Sequence, residues 1–371
     1  LTLAAAPVGV RALNRATLAR QLLLERSSLD PREALEHLVG LQAQTPHTWY
    51  VGLWSRLDDF DAVAFSRQLE DRLVVRLALM RGTIHLVTAA DARRLRPVLQ
   101  SVLDRQLRSN FRRQLVGLDP TLVAADGAAF MTETPRTFGE LGDHLLERWP
   151  GRDRLALEMA VRALIPLVQV PPRGLWGRSG RVAHTTSEAW LGPSSEAPTT
   201  PAELVRRYLA AFGPASVADI ATWSGLAGVA EIVDGMRASL ATMRDERGRE
   251  LLDLPEAPRP DPDSPAPVRF LYDYDNLFLS HADRSRVYPQ DPYRSIELHP
   301  NEIVSGYLVD GVLGGFWRLR RERDAAWLEL RPLVRLTRTQ ERDVEVEGVR
   351  LLSFLAVDAA DHDIRFDWGD R

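Results

Sequence analysis

The residues of this chain whose type and spacing most suggest chemistry are two glutamines, in Leu41-Gln42-Ala43-Gln44-Thr45-Pro46-His47. A carboxamide cannot take a proton from water, but its carbonyl and amino groups can orient a water molecule or read a base edge. Within a continuous helix, residues two apart point about 200° away from each other. Pro46 ends a helix nearby, because the residue before proline avoids the helical region. In an extended or last-turn geometry both amides face one cleft. Turn chemistry at a helix junction is the plain reading of such a pair; water positioning or base reading is the functional one.

Other chemistry is excluded by composition. There is no cysteine, which removes disulfides, cysteine zinc sites, iron–sulfur clusters and thiol nucleophiles. There is no lysine either, so all 47 basic residues are arginine, and neither a lysine Schiff base nor a phosphate-loop lysine is available. The eight histidines are scattered, and no His-Glu-x-x-His, Gly-x-Ser-x-Gly or Gly-x-Gly-x-x-Gly string occurs. Neither a metal nor a cofactor is expected. Asp58-Asp59-Phe60-Asp61 reads as helix capping. Asp273 and Asp275 alternate with aromatics, which places both on one side of an expected strand, either as an acid–base pair or as anchors for Arg284 and Arg286.

The chain has 371 residues with 45% hydrophobic and 26% charged side chains, a globular composition with room for several domains. No apolar run reaches the ~18 residues that cross a bilayer, and no basic-then-apolar leader opens the chain, so no membrane partner and a cytoplasmic location are expected. The net charge of −4 conceals an N-terminal excess: residues 1–120 carry 17 arginines against 12 acids. A basic patch in an acidic whole is the electrostatic footprint of a nucleic-acid binder.

The elements that position these residues recur in order. Helices are expected over Asn14–Arg26 with Asn14 as N-cap, from Asp30-Pro31 through Leu41, from Thr45 through Trp54, and over Ala62–Leu69. A hairpin, Leu73–Met80 and Thr83–Thr88, follows. Helices over Thr137–Arg148 and Arg154–Ile165 precede strands Leu167–Val170 and Val182–Thr186 around the loop 171–181. A third pass has helices over Pro201–Phe212, Val217–Trp223 and Val229–Leu240 before a hairpin, Ala241–Arg244 and Glu250–Leu254. Helices followed by a hairpin is the order of a winged helix. Past a proline-rich linker the chain is mostly β: Phe270–Leu279, Ile303–Leu308, Val312–Leu319 and Ala326–Leu330, with a late helix near Thr339–Leu355. The expected fold class is α+β, with winged helices over 1–120, 121–198 and 199–258 and a β-rich domain over 259–371.

Gly40-Leu41-Gln42-Ala43-Gln44 resembles the Gln-x-Gln motif of the winged-helix DNA glycosylase family that contains AlkZ and YcaQ. Further similar strings are Arg81-Gly82-Thr83-Ile84-His85-Leu86, Phe212-Gly213-Pro214 leading to Asp219 and Trp223, Ser280-His281-x-Asp283-Arg284, and Asp310-Gly311 before Gly315-Phe316-Trp317-Arg318. The similarity covers nearly the whole chain, and the glutamine pair points to the branch of AlkZ, an azinomycin-crosslink glycosylase. The resemblance implies three winged helices arranged in a C around duplex DNA. It also implies a monofunctional glycosylase for N7-alkylated or crosslinked purines in DNA repair and self-resistance, acting as a monomer associated with the nucleoid.

In that reading Gln42 and Gln44 are the catalytic pair. DNA contacts come from Arg173, Trp176, Arg178 and Arg181 in the second wing, from Arg105, Arg108 and Arg112 on one helix face, and from His47 and Arg81. A packed tryptophan and a solvated arginine face are the bland alternatives, and His85 reads as a core histidine. The competing function is a winged-helix transcriptional regulator without catalysis; three tandem wings and no heptad repeat for dimerisation speak against it.

Overall fold

The order of elements follows capping residues and apolar runs along the chain. A computed structural model describes residues 6–288 and 305–368. Its first part contains α1 (Val10–Arg20), α2 (Pro31–His37), β1 (Leu41–Gln42), α3 (Thr48–Trp54), α4 (Ala62–Glu70), β2 (Val74–Ala78), β3 (Ile84–Thr88), α5 (Ala89–Val98) and α6 (Gln100–Phe111). The middle holds α7 (Pro120–Glu133), β4 (Arg136–Thr137), α8 (Phe138–Arg148), α9 (Arg154–Leu164), β5 (Leu167–Gln169), β6 (Ala183–Thr186) and α10 (Ser187–Leu191). Next come α11 (Pro201–Phe212), α12 (Val217–Ser224), α13 (Val229–Met236), β7 (Ala241–Arg244) and β8 (Glu250–Asp253). The C-terminal part has β9 (Arg269–Phe270), α14 (Asn276–Leu279), β10 (Ser305–Val309), β11 (Val312–Glu322), β12 (Ala325–Pro332), α15 (Arg338–Leu355) and β13 (Asp361–Phe366). The fold is mixed α and β.

Caps explain several boundaries. Asp30 and Glu33 form a reciprocal capping box at α2, Asp61 accepts from Val63 N and Ala64 N at α4, and Thr137 and Glu140 form a second box at α8.

The hairpins β2–β3 and β5–β6 do not stand apart. Arg76 of β2 is paired with Gln169 of β5, so both join one six-stranded sheet in the order β1-β3-β2-β5-β6-β4. Alternation along β2 divides two cores: Val74 and Ala78 face one that includes Leu41, Trp49, Phe270 and Leu352, while Val75 and Leu77 face another that includes Leu95, Tyr208 and Trp223. The C-terminal sheet runs β13-β12-β11-β10-β9, and β13 lies parallel to β12 after a crossover through α15.

Four expectations are corrected. Asn14 is not an N-cap; it is buried inside α1, where Nδ2 donates to the carbonyls of Arg286 and Gly311, each at 2.7 Å. The second helix does not run to Leu41, for the reason given below. Thr45 does not cap α3, since that helix begins after His47, and Thr45 instead donates to Asp273. Residues 270–279 are not one strand, because Asp275 caps the short α14. The expected Ile303 lies outside the described residues.

Three buried histidines set an acid limit on stability. Burial, first among the causes, lowers His85, His184 and His281 each to about 3. They are neutral in the native protein, whereas in the unfolded chain they take up protons below about pH 6.5. Stability is therefore full above that value and is lost progressively as pH falls from about 6.5 toward 3. Urea unfolding at pH 7.5 and pH 5 tests this, and an equal or higher midpoint at pH 5 would refute it.

Candidate active site

Gly40 makes the glutamine strand possible. The chain leaves α2 through Val39 and Gly40, both left-handed at φ 56° and 83°, and Gly40 N–H closes a 2.7 Å bond to Leu35 O. This is a Schellman-type stop with valine where glycine is usual. A Cβ on Gly40 would lie 2.5 Å from Val87 Cγ1. The left-handed turn throws the chain into β1, which pairs antiparallel with β3, Leu41 opposite Leu86 and Gln42 opposite His85. Past the strand, Ala43 N–H still bonds Ile84 O at 2.7 Å.

The other edge of β1 is closed by a side chain. Asn276 Nδ2 donates to Gly40 O at 2.7 Å, and Gln42 N–H donates to Asn276 Oδ1 at 3.3 Å, so one amide does the work of a neighbouring strand. Asn276 is positioned by Asp275, whose carboxylate caps α14 and grips the Arg56 guanidinium at 2.7 and 2.8 Å. Asp273 accepts from Thr45 Oγ1 at 2.5 Å and Thr48 Oγ1 at 2.6 Å. The two aspartates therefore anchor the start of α3 and the interior, and neither bonds Arg284 or Arg286.

Gln42 is buried and Gln44 exposed. Arg81 Nη2 donates to Gln42 Oε1 at 2.6 Å, and Arg81 Nη1 donates to Trp223 O at 2.8 Å. A guanidinium can only donate, so it fixes the amide with its oxygen toward Arg81 and its NH2 group on the other side. Gln44 Oε1 accepts from Ile84 N–H at 3.4 Å. Burial lowers Arg81 to about 10, still charged at neutral pH. Arg81 and His47 both adopt left-handed backbone, at φ 57° and 74°. Such strained non-glycine residues cluster at functional sites.

Sequence reasoning passed over Arg76, which lies within the Leu73–Met80 run and is buried. Its Nη2 donates to Ala43 O at 2.7 Å, between the two glutamines, while Nε and Nη1 have no partner among the described residues. Burial, with repulsion from Arg173, lowers it to about 10. A buried, unpaired guanidinium costs stability, so its retention suggests a task. Arg76→Met is expected to leave the melting temperature unchanged or raised and to slow the reaction of the site about 10- to 100-fold through displacement of Ala43. An unaltered rate would mean that Arg76 does not position the motif.

The remaining expected contacts are distributed. His47 is half-buried and its pKa is lowered, chiefly by burial, with the backbone of Arg178 and Leu175 opposing the shift. Trp176 is packed, with its ring centroid 4.9 Å from that of Tyr50 and 5.0 Å from that of Phe354. In the same loop Arg173 Nη1 donates to Gly180 O at 3.3 Å, Arg178 is exposed, and Arg181 pairs with Glu140 at 2.7 Å. Arg105 donates to Gly225 O, while Arg108 and Arg112 are exposed beside it around a depression of about 1050 Å³; Arg112 is the C-cap of α6. His85 is buried with Nδ1 3.0 Å from Thr83 O, as a core histidine should be. Among the described residues no group of three histidines or carboxylates could hold a metal ion, and no helix is long and apolar enough to cross a membrane.

Comparison with known proteins bears on this arrangement. No curated protein matches the sequence. Among solved structures, the Streptomyces sahachiroi DNA glycosylase AlkZ matches with a TM-score of 0.79 at 18% identity, covering 97% of this chain and all of that one. At that identity the likeness speaks for the fold. The family model of AlkZ-like DNA glycosylases matches residues 35–354, which include the glutamine strand, Arg81 and the segment that carries Asn276. The chain belongs to the AlkZ-like family of DNA glycosylases.

Proposed function

We propose that the protein is a monofunctional DNA glycosylase that hydrolyses the N-glycosidic bond of N7-alkylated purines in duplex DNA, including purines joined in interstrand crosslinks of the azinomycin type. The observation that carries this reading is the orientation of Gln42, whose oxygen is held by Arg81. The carbonyl keeps a second lone pair and the NH2 both hydrogens, so the amide can orient a water or contact sugar and base, yet cannot deprotonate either. Gln44 offers the same groups from an exposed position.

A site of this kind suits a leaving group that is already activated. Alkylation at N7 places a positive charge on the purine. As C1′–N9 breaks, the bonding pair moves to N9 and neutralises the ring. The water oxygen bonds to C1′, and its proton passes to solvent. The protein must orient the water and stabilise an oxocarbenium-like sugar, tasks of positioning and fixed dipoles. The absence of lysine supports hydrolysis without strand nicking by a side-chain Schiff base. In this reading three winged-helix units form a C-shaped cleft around the duplex, and the protein acts as a monomer in DNA repair and self-resistance. The arginines of the 171–181 loop and of α6 lie along the backbone. A cleft that admits the lesion in place suits a crosslink, which resists flipping of one nucleotide.

The test is base release from a duplex that carries N7-methylguanine, read as alkali-labile abasic sites. Release by the wild type with no nicking before alkali is expected. Binding that shifts the duplex on a gel, with release from neither this substrate nor a crosslinked one, would favour a non-catalytic DNA-binding protein.

A further inference from the structure

The turn that carries Arg81 is closed by its own backbone. Between β2 and β3, Leu79 N–H bonds Thr83 O at 3.0 Å, Gly82 N–H bonds Leu79 O at 2.8 Å and Thr83 N–H bonds Met80 O at 3.1 Å. Arg81 and Gly82 supply, at φ 57° and 70°, the two positive φ values of a type I′ hairpin turn. The carbonyls of these two central residues take no part in those bonds. Both are nevertheless held, each by a side chain from a different helix. Gln106 Nε2 of α6 donates to Arg81 O at 2.7 Å, and Arg162 Nη2 of α9 donates to Gly82 O at 3.2 Å. A Cβ on Gly82 would collide with Gln106 Oε1, so only glycine lets the amide come this close.

The preceding residue of α6 acts at the same place. Arg105 donates to Gly225 O at the end of α12, and a Cβ on Gly225 would lie 3.1 Å from Val102 Cγ1 of α6 and 3.5 Å from Arg81 Cα. Trp223 O, which accepts from the Arg81 guanidinium at 2.8 Å, stands two residues before that glycine. Neighbouring residues of one helix therefore fix Arg81 twice: Gln106 at its main chain, and Arg105 beside the carbonyl that its side chain grips. The same guanidinium reaches Gln42 Oε1 at 2.6 Å, so its position decides where the Gln42 amide points. A hairpin tip free to swing on β2 and β3 would carry the guanidinium with it.

We propose that Gln106 is a positioning residue: it aims the Arg81 turn and, through Arg81, orients the Gln42 amide for the reaction. The proposal rests on the glycosylase reading above and extends it to a side chain that bonds neither glutamine of the motif. In that reading Arg108 and Arg112, farther along α6, lie along the DNA backbone, so one helix sets the amide relative to the strand on which it acts. Because the backbone bonds of the turn remain when Gln106 is replaced, its loss costs aim and leaves the fold.

The experiment measures single-turnover release of 7-methylguanine from a duplex at saturating protein, with duplex affinity and melting temperature read on the same samples. Gln106→Met keeps the length of the side chain and removes the donor, while Gln106→Glu keeps its shape and sets an acceptor against Arg81 O. Both variants are expected to lower the saturated rate about tenfold or more while affinity changes less than about twofold. In the Gln42→Ala protein, Gln106→Met is expected to slow release no further, because the amide that it aims is gone. A residue that only supports the fold would instead lower melting temperature and affinity together and cost the same factor in both backgrounds. That pattern, or wild-type rates in both variants, overturns the role of Gln106 and leaves the glycosylase reading intact. Release by the wild type of neither this base nor a crosslinked purine overturns that reading and this one with it.

Discussion

Gln42→Ala is expected to lower base release from an N7-methylguanine duplex by about 10²- to 10³-fold, the usual cost of removing one preorganised hydrogen-bonding group from a catalytic site. Duplex affinity should change little, because phosphate contacts dominate it. The alanine variant also takes from Arg81 one of its two acceptors, leaving only Trp223 O, and a half-buried guanidinium that loses a partner destabilises the local fold. Gln42→Glu separates the two effects. A carboxylate satisfies Arg81 at least as well, so this variant should melt above the alanine variant, yet it has no N–H to offer the substrate. If Gln42→Glu releases the base at the wild-type rate, the amide nitrogen has no role. If both variants lose affinity and activity in equal measure, the residue is a structural part of the turn.

The second large effect lies away from the substrate. Asp275→Ala is expected to destabilise the protein by about 3–5 kcal/mol, because the Arg56 side chain is left charged, fully hidden and uncompensated. The same change removes the cap of α14 and loosens Asn276 from the edge of β1. Thermal unfolding and base release should therefore fall together. Asp275→Asn, which keeps the cap geometry without the charge, should recover part of both. A melting temperature within a degree or two of wild type for the alanine variant would mean that water reaches Arg56 and that the pair contributes little.

What the sequence makes legible here is local. The hairpins around 80 and 175 and the helices opened by Asp30 and Thr137 are read from spacing and capping alone, whereas spacing leaves the glutamine pair open between turn chemistry and function and the family resemblance singles it out. The end of α2 is also written in the chain, in Val39-Gly40, ahead of the more conspicuous Pro46; a glycine just beyond a helical period is a C-terminal stop. The helices α5, α6 and α7 form a long stretch in which the apolar period is diluted by arginine and alanine, and only the arginine face of α6 stood out. Strand β13, Asp361-His362-Asp363-Ile364-Arg365-Phe366, is polar at every other position because one of its faces is exposed, and it pairs with β12 only after an eighteen-residue helix. Arg76 and Asn276 were not legible as site residues. Their roles come from neighbours more than 30 and 230 positions away, Ala43 for one and Gly40 for the other. Asp273 and Asp275 looked like a pair on a strand because the aromatics between them alternate, whereas the cap at Asp275 turns the chain within two residues.

The pairing of β2 with β5 also governs how this protein can be taken apart. Cutting the chain after residue 120 would strip β2 of its neighbour and bare the backbone donors and acceptors now spent on β5, beside the buried Arg76. A raw strand edge of that kind recruits other chains. A piece ending there should come out of cells as inclusion bodies, and a partner piece starting at 121 should fare no better, since β5 would be left equally bare. Co-expression of the two halves, by contrast, should return a soluble, nicked protein held together by a sheet that both halves build.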